Sequence, residues 1–304
     1  MYAIAGTVPI KDFPLLAGEV FMEDDHICIL GKRIALNRGT PALLAAAVKA
    51  GEVLDQGAPF GYVVGDIGLG DGSRRLYEYL TKDLRQTDSQ SKSKGGFKAI
   101  TFHYLQPDVD WHNQVLFAIK EMTKKPTLIA DAGFMYAAKM SGKAGEYDLF
   151  TPDIGELAFL ADEEAPHPFY TRGFILHEED RIPELIVRAY KHKNAARCLL
   201  VKAKQDYIAD RQGVQTKIDR PIEEALEAMG GTGDTLTGIA TALIESGMEI
   251  MKAATVAAKV NRLAGYYARP NPATQVMEII RQIPKALEKI LNEEKRGEGW
   301  EKQP

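Results

Sequence analysis

The chain has 304 residues, and its 38 Lys and Arg against 42 Asp and Glu give a formal charge of −4. Hydrophobic residues make up 45% and charged residues 26%, which excludes a disordered chain, because disorder requires low hydrophobicity and high net charge. The mild acidity lacks the electrostatic footprint of a nucleic-acid-binding protein. No apolar run approaches the roughly 18 residues of a membrane-spanning helix.

The N-terminus and the cysteines predict the compartment. The first residues, MYAIAGTVPIKDFP, lack the basic segment followed by an apolar segment that marks a signal peptide. Cys28 and Cys198 stand far apart, and two reduced thiols are favoured over a disulfide, which stays compatible with the sequence. We predict a cytoplasmic protein that binds a small-molecule substrate, with no nucleic acid and no membrane as partner. A homo-oligomer is compatible with the sequence.

Short apolar segments alternate with helical patterns along most of the chain. In the first half, the patterns predict helices over 41–49, 74–84 and 110–122 and strands over 61–64, 97–102 and 127–130. In the second half, they predict helices over 134–140, 154–161, 182–191, 235–245, 249–267 and 276–293, strands over 149–151 and 198–202, and a hairpin over 207–209 and 214–218. This alternation indicates an α/β fold with a mostly parallel sheet.

Three polar or charged segments interrupt this pattern. Residues 85–96 are free of apolar side chains and predict a surface loop inside one domain that spans residues 1–304, since the same alternation continues on both sides. The charged tail over 293–304 is expected to fray. For residues 166–180, a loop that covers the substrate and a simple decoration both remain open.

The densest motif is Gly-Gly-Thr-Gly-Asp-Thr-Leu-Thr-Gly over 230–238, immediately before a helical pattern. Glycines let the backbone approach a ligand, and the amides and dipole of a helix N-terminus form a site suited to phosphate. Asp234 would stand beside the anion, where a carboxylate is placed to act as a general base. The alternative is a flexible loop with Asp234 or Thr235 as an ordinary N-cap. The full string with a long helix behind it favours function.

This motif resembles the anion-binding signature of the ribokinase-like superfamily, in which a GxGD turn opens a helix. With Thr between the glycines and Thr-Leu-Thr-Gly behind, it is most similar to the NAD(P)H-hydrate dehydratase branch, whose members use ADP or ATP to repair hydrated nicotinamide cofactors. Residues 129–133, 150–156 and 200–209 resemble that branch's LDAxxL, LTPHxGE and LKG…xVIA elements, in the same order. The resemblance covers about residues 97–268 and implies a three-layer α/β/α sandwich of ribokinase-like type.

The resemblance also implies roles for individual residues. It makes Asp234 the catalytic residue and assigns the nucleotide phosphates to Gly230, Gly231, Thr232, Gly233 and Lys202. Asp131 and Asp153 are candidate substrate-binding residues, and Glu156 is a candidate Mg²⁺ ligand, directly or through water. For each of these an ordinary structural role competes: a turn for Asp131, a helix cap for Asp153, a solvent-facing first turn for Glu156 and a surface position for Lys202, with Lys204 equally available.

The chain departs from the branch at several points. Asp153 replaces a His, Met229 a Lys and Ala203 a Gly, and residues 103–108 (HYLQPD) stand where the branch has a glycine-rich turn. The N-terminal Lys-Gly-x-x-G loop of the branch has no clear counterpart. The glycine-rich segment over 65–72 could bind substrate or form a turn with an Asp cap. Over 37–41, Thr40 as N-cap and Pro41 in the first turn explain a helix start.

Three functions follow from these features. The first is a nucleotide-dependent dehydratase, a lyase acting on hydrated NAD(P)H with ADP or ATP and Mg²⁺ as cofactors. The second is an ATP-dependent sugar or alcohol kinase of the same superfamily, in which Asp234 deprotonates a substrate hydroxyl and the turn stabilises the transferring phosphoryl group. The third is a nucleotide-binding relative without catalysis.

Overall fold

The computed structural model describes residues 1–90, 96–165, 181–271 and 273–296. Its strands are β1 (Tyr2–Val8), β2 (Leu16–Glu23), β3 (His26–Ile29), β4 (Lys32–Ala35), β5 (Phe60–Gly65), β6 (Ala99–His103), β7 (Thr127–Ala130), β8 (Leu149–Phe150), β9 (Cys198–Val201), β10 (Asp206–Asp210) and β11 (Gly213–Ile218). They form one sheet in the order β11-β10-β9-β8-β7-β6-β1-β5-β2-β3-β4.

The centre of this sheet is parallel. Strands β9, β8, β7, β6, β1 and β5 pair in parallel, while β10 and β11 at one edge and β2, β3 and β4 at the other pair antiparallel. Parallel strands end at the same edge of a sheet, and open α/β sheets bind ligands there. The residues at or just after the ends of β6, β7 and β9, which are His103, Asp131 and Lys202, therefore meet at one edge.

The helices of the described residues cover both faces of the sheet. They are α1 (Thr40–Val53), α2 (Asp71–Gln90), α3 (Val109–Lys120), α4 (Ala132–Met140), α5 (Ile154–Ala161), α6 (Ile182–Lys191), α7 (Thr232–Glu245), α8 (Ile250–Ala268), α9 (Val276–Ile280) and α10 (Ile283–Arg296). Helices α1 and α7 to α10 share one hydrophobic core, and α2 to α6 share the other. The predicted three-layer α/β/α sandwich with a mostly parallel central sheet is confirmed.

Strand β1 shows why the sheet lies in the middle. Every residue from Tyr2 to Val8 is buried, because the strand has sheet neighbours on both sides and a helical layer on each face. Its side chains alternate between the layers, with Ile4 in the core of α1 and α7 and Ala5 in the other. Each fully buried aliphatic side chain of this kind contributes about 1.5–3 kcal/mol.

Two predicted boundaries in the C-terminal part are wrong. The helix predicted over 276–293 is two helices, α9 and α10, which are separated before Pro284. Proline has no amide hydrogen and clashes with a preceding helical turn, so it is tolerated only at a helix start. The tail predicted to fray from 293 is helical as far as Arg296.

In the N-terminal half, the structure differs from the predicted start of the loop over 85–96 and from the predicted N-cap of α1. The loop predicted over 85–96 begins later, because α2 runs to Gln90 and its last six residues contain neither Gly nor Pro to stop a helix. Thr40 is the first residue of α1 instead of its N-cap, which is Gly39 with a positive φ of 73°. The four strands β1 to β4 were not predicted. The segment 166–180 and residues 91–95 and 297–304 lie outside the described residues.

None of the helices in the described ranges combines the length and the apolar character that crossing a lipid bilayer demands.

Candidate active site

The glycine turn opens α7 as the motif predicts. Gly231 is the N-cap and adopts a left-handed φ of 101°, a conformation that costs a residue with a side chain about 1–2 kcal/mol. Within the described ranges, the N–H groups of Gly231, Thr232 and Gly233 donate to no protein acceptor. These free amides lie at the positive end of the helix dipole, which is equivalent to about half a charge. The turn therefore offers unpaired donors to an anion.

Asp234 lies in the first turn of α7 with both carboxylate oxygens bound. Its Oδ2 accepts a hydrogen bond from the Gly39 N–H at 2.6 Å, and its Oδ1 lies 3.1 Å from His103 Nε2. Burial opposes ionisation of this carboxylate, but the hydrogen bond from His103, the charge of Lys202 and the Gly39 N–H together hold the pKa of Asp234 below its ordinary value. Asp234 is thus held as an ionised carboxylate at the wall of a cavity.

Asp131, which is buried, and Lys202, which is partly buried, form an ion pair that lines the same cavity as Asp234. Lys202 Nζ lies 2.8 and 2.9 Å from the two oxygens of Asp131, which also accept from the Ala132 N–H and the Thr237 hydroxyl. Burial works against the charge on Lys202, but the carboxylates of Asp131 and Glu156 raise its pKa above the ordinary value. Lys202 also lies against Gly233, where a Cβ would come within 3.1 Å of its Cδ. The glycine therefore lets the lysine chain reach the carboxylate.

Asp153 and Glu156 form a capping box at the start of α5. The Asp153 side chain accepts from the Glu156 N–H at 2.8 Å, and Glu156 Oε2 accepts from the Asp153 N–H at 2.7 Å. Asp153 is thus the helix cap that the sequence left as one of two alternatives. Burial, followed by the negative charge of Asp153, raises the pKa of Glu156 well above its ordinary value. Lys202 opposes this shift.

A cavity of about 470 Å³ brings most of the predicted residues together. It is lined by Asp131, Asp153, Glu156, Lys202, Gly231, Thr232, Gly233 and Asp234. We call it the acidic cavity, because the described residues that line it include seven carboxylates against Lys202, Lys204 and Arg262. Gly230 is the one predicted site residue that does not line it.

Gly230 lines a second cavity of about 560 Å³, which has no lining residue in common with the acidic cavity. Arg38 is the one charged side chain among the described residues that line it, so we call it the Arg38 cavity. The exposed Arg38 packs on the turn itself, since a Cβ at Gly230 would lie 3.3 Å from its Cδ. Val8, Ile34 and Val276 give this cavity apolar walls.

Two adjacent residues of α8, Asn261 and Arg262, brace the acidic cavity. Asn261 on α8 accepts from the Thr235 hydroxyl at 2.7 Å and donates to the Thr232 carbonyl at 3.0 Å, which fixes the first turn of α7. Arg262 pairs with the buried Asp206 at 2.6 Å and also binds the carbonyls of Ala203 and Lys204. Both side chains line the cavity.

The glycine-rich segment over 65–72 forms the turn with an Asp cap. One oxygen of Asp66 accepts the N–H groups of Gly68 and Gly70, and the other accepts the N–H and hydroxyl of Ser73. These bonds lower the pKa of Asp66 against the effect of burial. Both oxygens of the Asp66 carboxylate are thus bound within their own loop, and the segment lines neither cavity.

Sequence reasoning missed Gly39 and His103, which hold Asp234. The helix start over 37–41 was fully explained by capping, yet its Gly39 N–H binds Asp234 and its Thr40 hydroxyl lies 3.1 Å from His103 Nδ1. The available signal was the position of His103 at the end of an apolar strand that ends at the same edge of the sheet as those before Asp131 and Lys202. In the described part of the chain, no group of three or more His, Cys, Asp or Glu side chains is arranged to hold a metal ion.

A crevice at the ends of parallel strands and a GxGD turn that opens a helix define a ribokinase-like protein. A model of the family described as NAD(P)H-hydrate dehydratase matches residues 106–285, and the chain belongs to this family. Two solved structures share the fold. The first is an ADP/ATP-dependent NAD(P)H-hydrate dehydratase from Bacillus subtilis, co-crystallised with ATP/Mg²⁺ and soaked with CoA; its TM-score is 0.54 at 14% sequence identity, and the match covers 95% of this chain and 92% of that one. The second is a pyridoxal kinase from Staphylococcus aureus; its TM-score is 0.52 at 15% sequence identity, and the match covers 86% of each chain.

Among sequence relatives, an uncharacterized protein of Methanocaldococcus jannaschii is 40% identical over 82% of this chain and 100% of its own length. A bifunctional NAD(P)H-hydrate repair enzyme of Hyperthermus butylicus is 36% identical over 36% of this chain and 20% of that enzyme. The match to the bifunctional enzyme therefore concerns one part of it. The resemblance stated from the sequence is confirmed at the level of family and fold.

Proposed function

We propose that the protein is a nucleotide-dependent NAD(P)H-hydrate dehydratase, a lyase that restores hydrated NADH or NADPH. Membership of the dehydratase family supports the reaction class. The observation that carries the proposal is the free amides of Gly231, Thr232 and Gly233 next to the ionised Asp234 at the wall of one cavity. In such a cavity the amides can bind a phosphate while the neighbouring carboxylate accepts a proton.

In this proposal the nucleotide, ADP or ATP, places its phosphates on the turn at the start of α7. The three amides bind the phosphate oxygens, and the helix dipole favours their negative charge. Lys202 contributes positive charge from the other side, although its amine is already bound to Asp131. Thr235 and Asn261 keep the turn in place during binding. Nucleotide hydrolysis accompanies the loss of water.

In this proposal Asp234 is the general base that accepts the proton. An ionised carboxylate accepts a proton from a hydroxyl or water beside a bound phosphate, and this contributes about 10²–10⁴-fold to a rate. The two hydrogen bonds that hold Asp234 leave further lone pairs of its oxygens unoccupied. Asp131 and Asp153 complete the wall on the substrate side in this proposal.

Mg²⁺ fits the donor set near α5. This ion is bound by one or two carboxylates together with waters and substrate phosphates, and it does not need a cage of protein ligands. Glu156 would hold it, directly or through water, with Asp153 beside it. The ion would supply charge neutralisation for the phosphates.

The Arg38 cavity has a role in the same proposal. A hydrated dinucleotide carries phosphates at a distance from its nicotinamide ring, and Arg38 offers them a guanidinium without a neighbouring carboxylate in the cavity wall. The continuous sheet, whose strands lie between Tyr2 and Ile218, supports the predicted organisation as one domain. A cytoplasmic location and a homo-oligomer stay predictions from the sequence.

The decisive experiment supplies NADHX with ADP or ATP and Mg²⁺ and follows the absorbance of the reduced nicotinamide. We expect the absorbance to return only when nucleotide is present. Turnover of a sugar or alcohol panel without any action on NADHX would replace the proposal by the kinase. Nucleotide binding in a thermal-shift assay without turnover would leave the non-catalytic relative.

A further inference from the structure

His103 lines the acidic cavity but neither binds phosphate nor transfers the proton in the proposed reaction. It ends β6, its side chain is 1% exposed, and it lies between two carboxylates and a hydroxyl. Nε2 is 3.1 Å from Asp234 Oδ1 and 3.9 Å from Asp131 Oδ2, and Nδ1 is 3.1 Å from Thr40 Oγ1. The ring also packs on Tyr104, with centroids 4.1 Å apart.

Gly6 in β1 makes this arrangement sterically possible. A Cβ at Gly6 would overlap both the Thr40 hydroxyl and the His103 carbonyl oxygen. The central strand thus leaves space for the start of α1 to approach the end of β6. The start of α1 and the end of β6 therefore meet beside Gly6, and both contact Asp234.

In the neutral ring, the two contacts assign the proton to one of the two nitrogens. An ionised carboxylate only accepts hydrogen bonds, so Nε2 must donate to Asp234. In a neutral imidazole the other nitrogen is then an acceptor, so the Thr40 hydroxyl must donate to Nδ1. Both ring nitrogens are thereby occupied, and the imidazole has no free lone pair to take a proton from Asp234.

We infer that His103 is a positioning residue for Asp234: its Nε2–H, fixed by the Thr40 hydroxyl, orients the Asp234 carboxylate together with the Gly39 N–H. This rests on the proposed function for its catalytic consequence. His103 holds the base in one rotamer and in the ionised state, and it does not relay the proton.

The first test does not depend on activity. Protein labelled with ¹⁵N-histidine is studied by long-range ¹H–¹⁵N correlation at alkaline pH, where imidazoles are neutral, and the His103 signals are assigned by their loss in His103→Gln. We expect the Nε2–H tautomer. In Asp234→Asn, the Gly39 N–H requires the amide oxygen, so the NH₂ group faces His103 and the tautomer switches to Nδ1–H. A wild-type Nδ1–H tautomer, or no switch in the variant, would overturn the inference.

The second test measures kcat and KM with NADHX and ATP. His103→Met removes the donor at similar volume, and we expect kcat to fall about tenfold to a hundredfold with little change in KM. His103→Gln places an amide donor near the position of Nε2 and should recover most of the rate. His112 supplies the control, because it is equally buried but binds Tyr147 and Ser141 on the far side of the sheet.

We expect His112→Met to keep the wild-type kcat at temperatures where it is folded. Equal losses of kcat in His103→Met and His112→Met, or no rescue by glutamine, would show a structural role and refute the inference. Failure of the wild type to act on NADHX would instead refute the proposed function. The tautomer measurement would then decide the role of His103 by itself.

Discussion

The acidic cavity and the Arg38 cavity share the glycine turn as a wall, but their charges are arranged differently. In the acidic cavity, the cations Lys202 and Arg262 are bound to the carboxylates of Asp131 and Asp206. In the Arg38 cavity, the described lining residues include one guanidinium and no carboxylate. The first cavity is therefore organised internally before any ligand arrives, while the second offers an uncompensated charge. In the proposed function, the acidic cavity therefore holds the nucleotide phosphates and the proton acceptor, and the Arg38 cavity holds the phosphates of the dinucleotide substrate.

The largest effect should come from Asp234→Asn in the acidic cavity. Without an ionisable carboxylate the proposed base is lost, and we expect kcat to fall by about 10²–10⁴-fold. The assay is the nucleotide-dependent return of nicotinamide absorbance. Asp210→Asn is the matched control, because Asp210 ends β10 and lines neither cavity. Full activity of the Asp234 variant would contradict the division of roles.

Lys202→Met tests whether the acidic cavity depends on its internal ion pair. Removing the amine leaves Asp131 buried without its partner, which costs about 3–5 kcal/mol of unfolding free energy. The raised pKa of Lys202 sets the pH dependence: the pair contributes fully below the ordinary value of 10.5 and is lost as pH rises above it. Denaturant unfolding should show a difference between wild type and variant that shrinks above this pH.

Lys204→Met is the control for that measurement, since Lys204 lines the same cavity and forms none of the ion pairs seen among the described side chains. We expect its unfolding free energy to stay within about 0.5 kcal/mol of wild type. An equal loss in both variants would contradict a specific role of the Lys202–Asp131 pair.

Gly231→Ala acts on the glycine turn at a residue that lines the acidic cavity. The left-handed φ costs about 1–2 kcal/mol, and the new methyl group would also press on Val276, 2.9 Å away. Gly213→Ala has the same strain at φ 107° but nothing within 4 Å of its Cβ. We expect similar losses of stability from strain in both and weaker ADP binding only in Gly231→Ala, measured by calorimetry. Unchanged ADP affinity would remove the turn from the nucleotide site.

The smallest effect is expected from Arg38→Met. Losing one exposed guanidinium contact should raise the KM for NADHX by about tenfold and leave ADP affinity unchanged, because a hydrogen bond to a charged group contributes about 1.5–3 kcal/mol. Steady-state kinetics and calorimetry separate the two quantities. Weaker ADP binding with an unchanged KM for NADHX would contradict this assignment, because it would place the nucleotide in the Arg38 cavity and the dinucleotide substrate in the acidic cavity.

The elements that local rules control could be predicted from the sequence. Helices α5 and α6 and strand β7 have the predicted bounds, and the Asp153–Glu156 capping box stands in the sequence as Asp-x-x-Glu. Strand β1 carries an apolar run that could have been recognised, but its place at the centre of the sheet depends on long-range pairing. Pro284 marked the helix break and was overlooked.

The geometry of the candidate site could be predicted only for the residues that lie within a single motif. The turn over 230–234 encodes its own amides and carboxylate, so its geometry followed from the motif. The partners of Asp234 could not be predicted, because Gly39 and His103 approach it only through the order β6-β1-β5 and the entry into α1. Local capping rules explained Thr40 and thereby concealed its contact with His103.

The bond between Gly39 and Asp234 joins positions 195 residues apart. Contacts of such long range form only after the intervening chain has lost most of its conformational freedom, and they slow folding. The proposed base therefore acquires its orientation only when the first and last portions of the polypeptide have docked. Recovery of turnover during refolding should lag behind recovery of helical circular dichroism, which would make enzymatic rate a sensitive reporter of complete assembly.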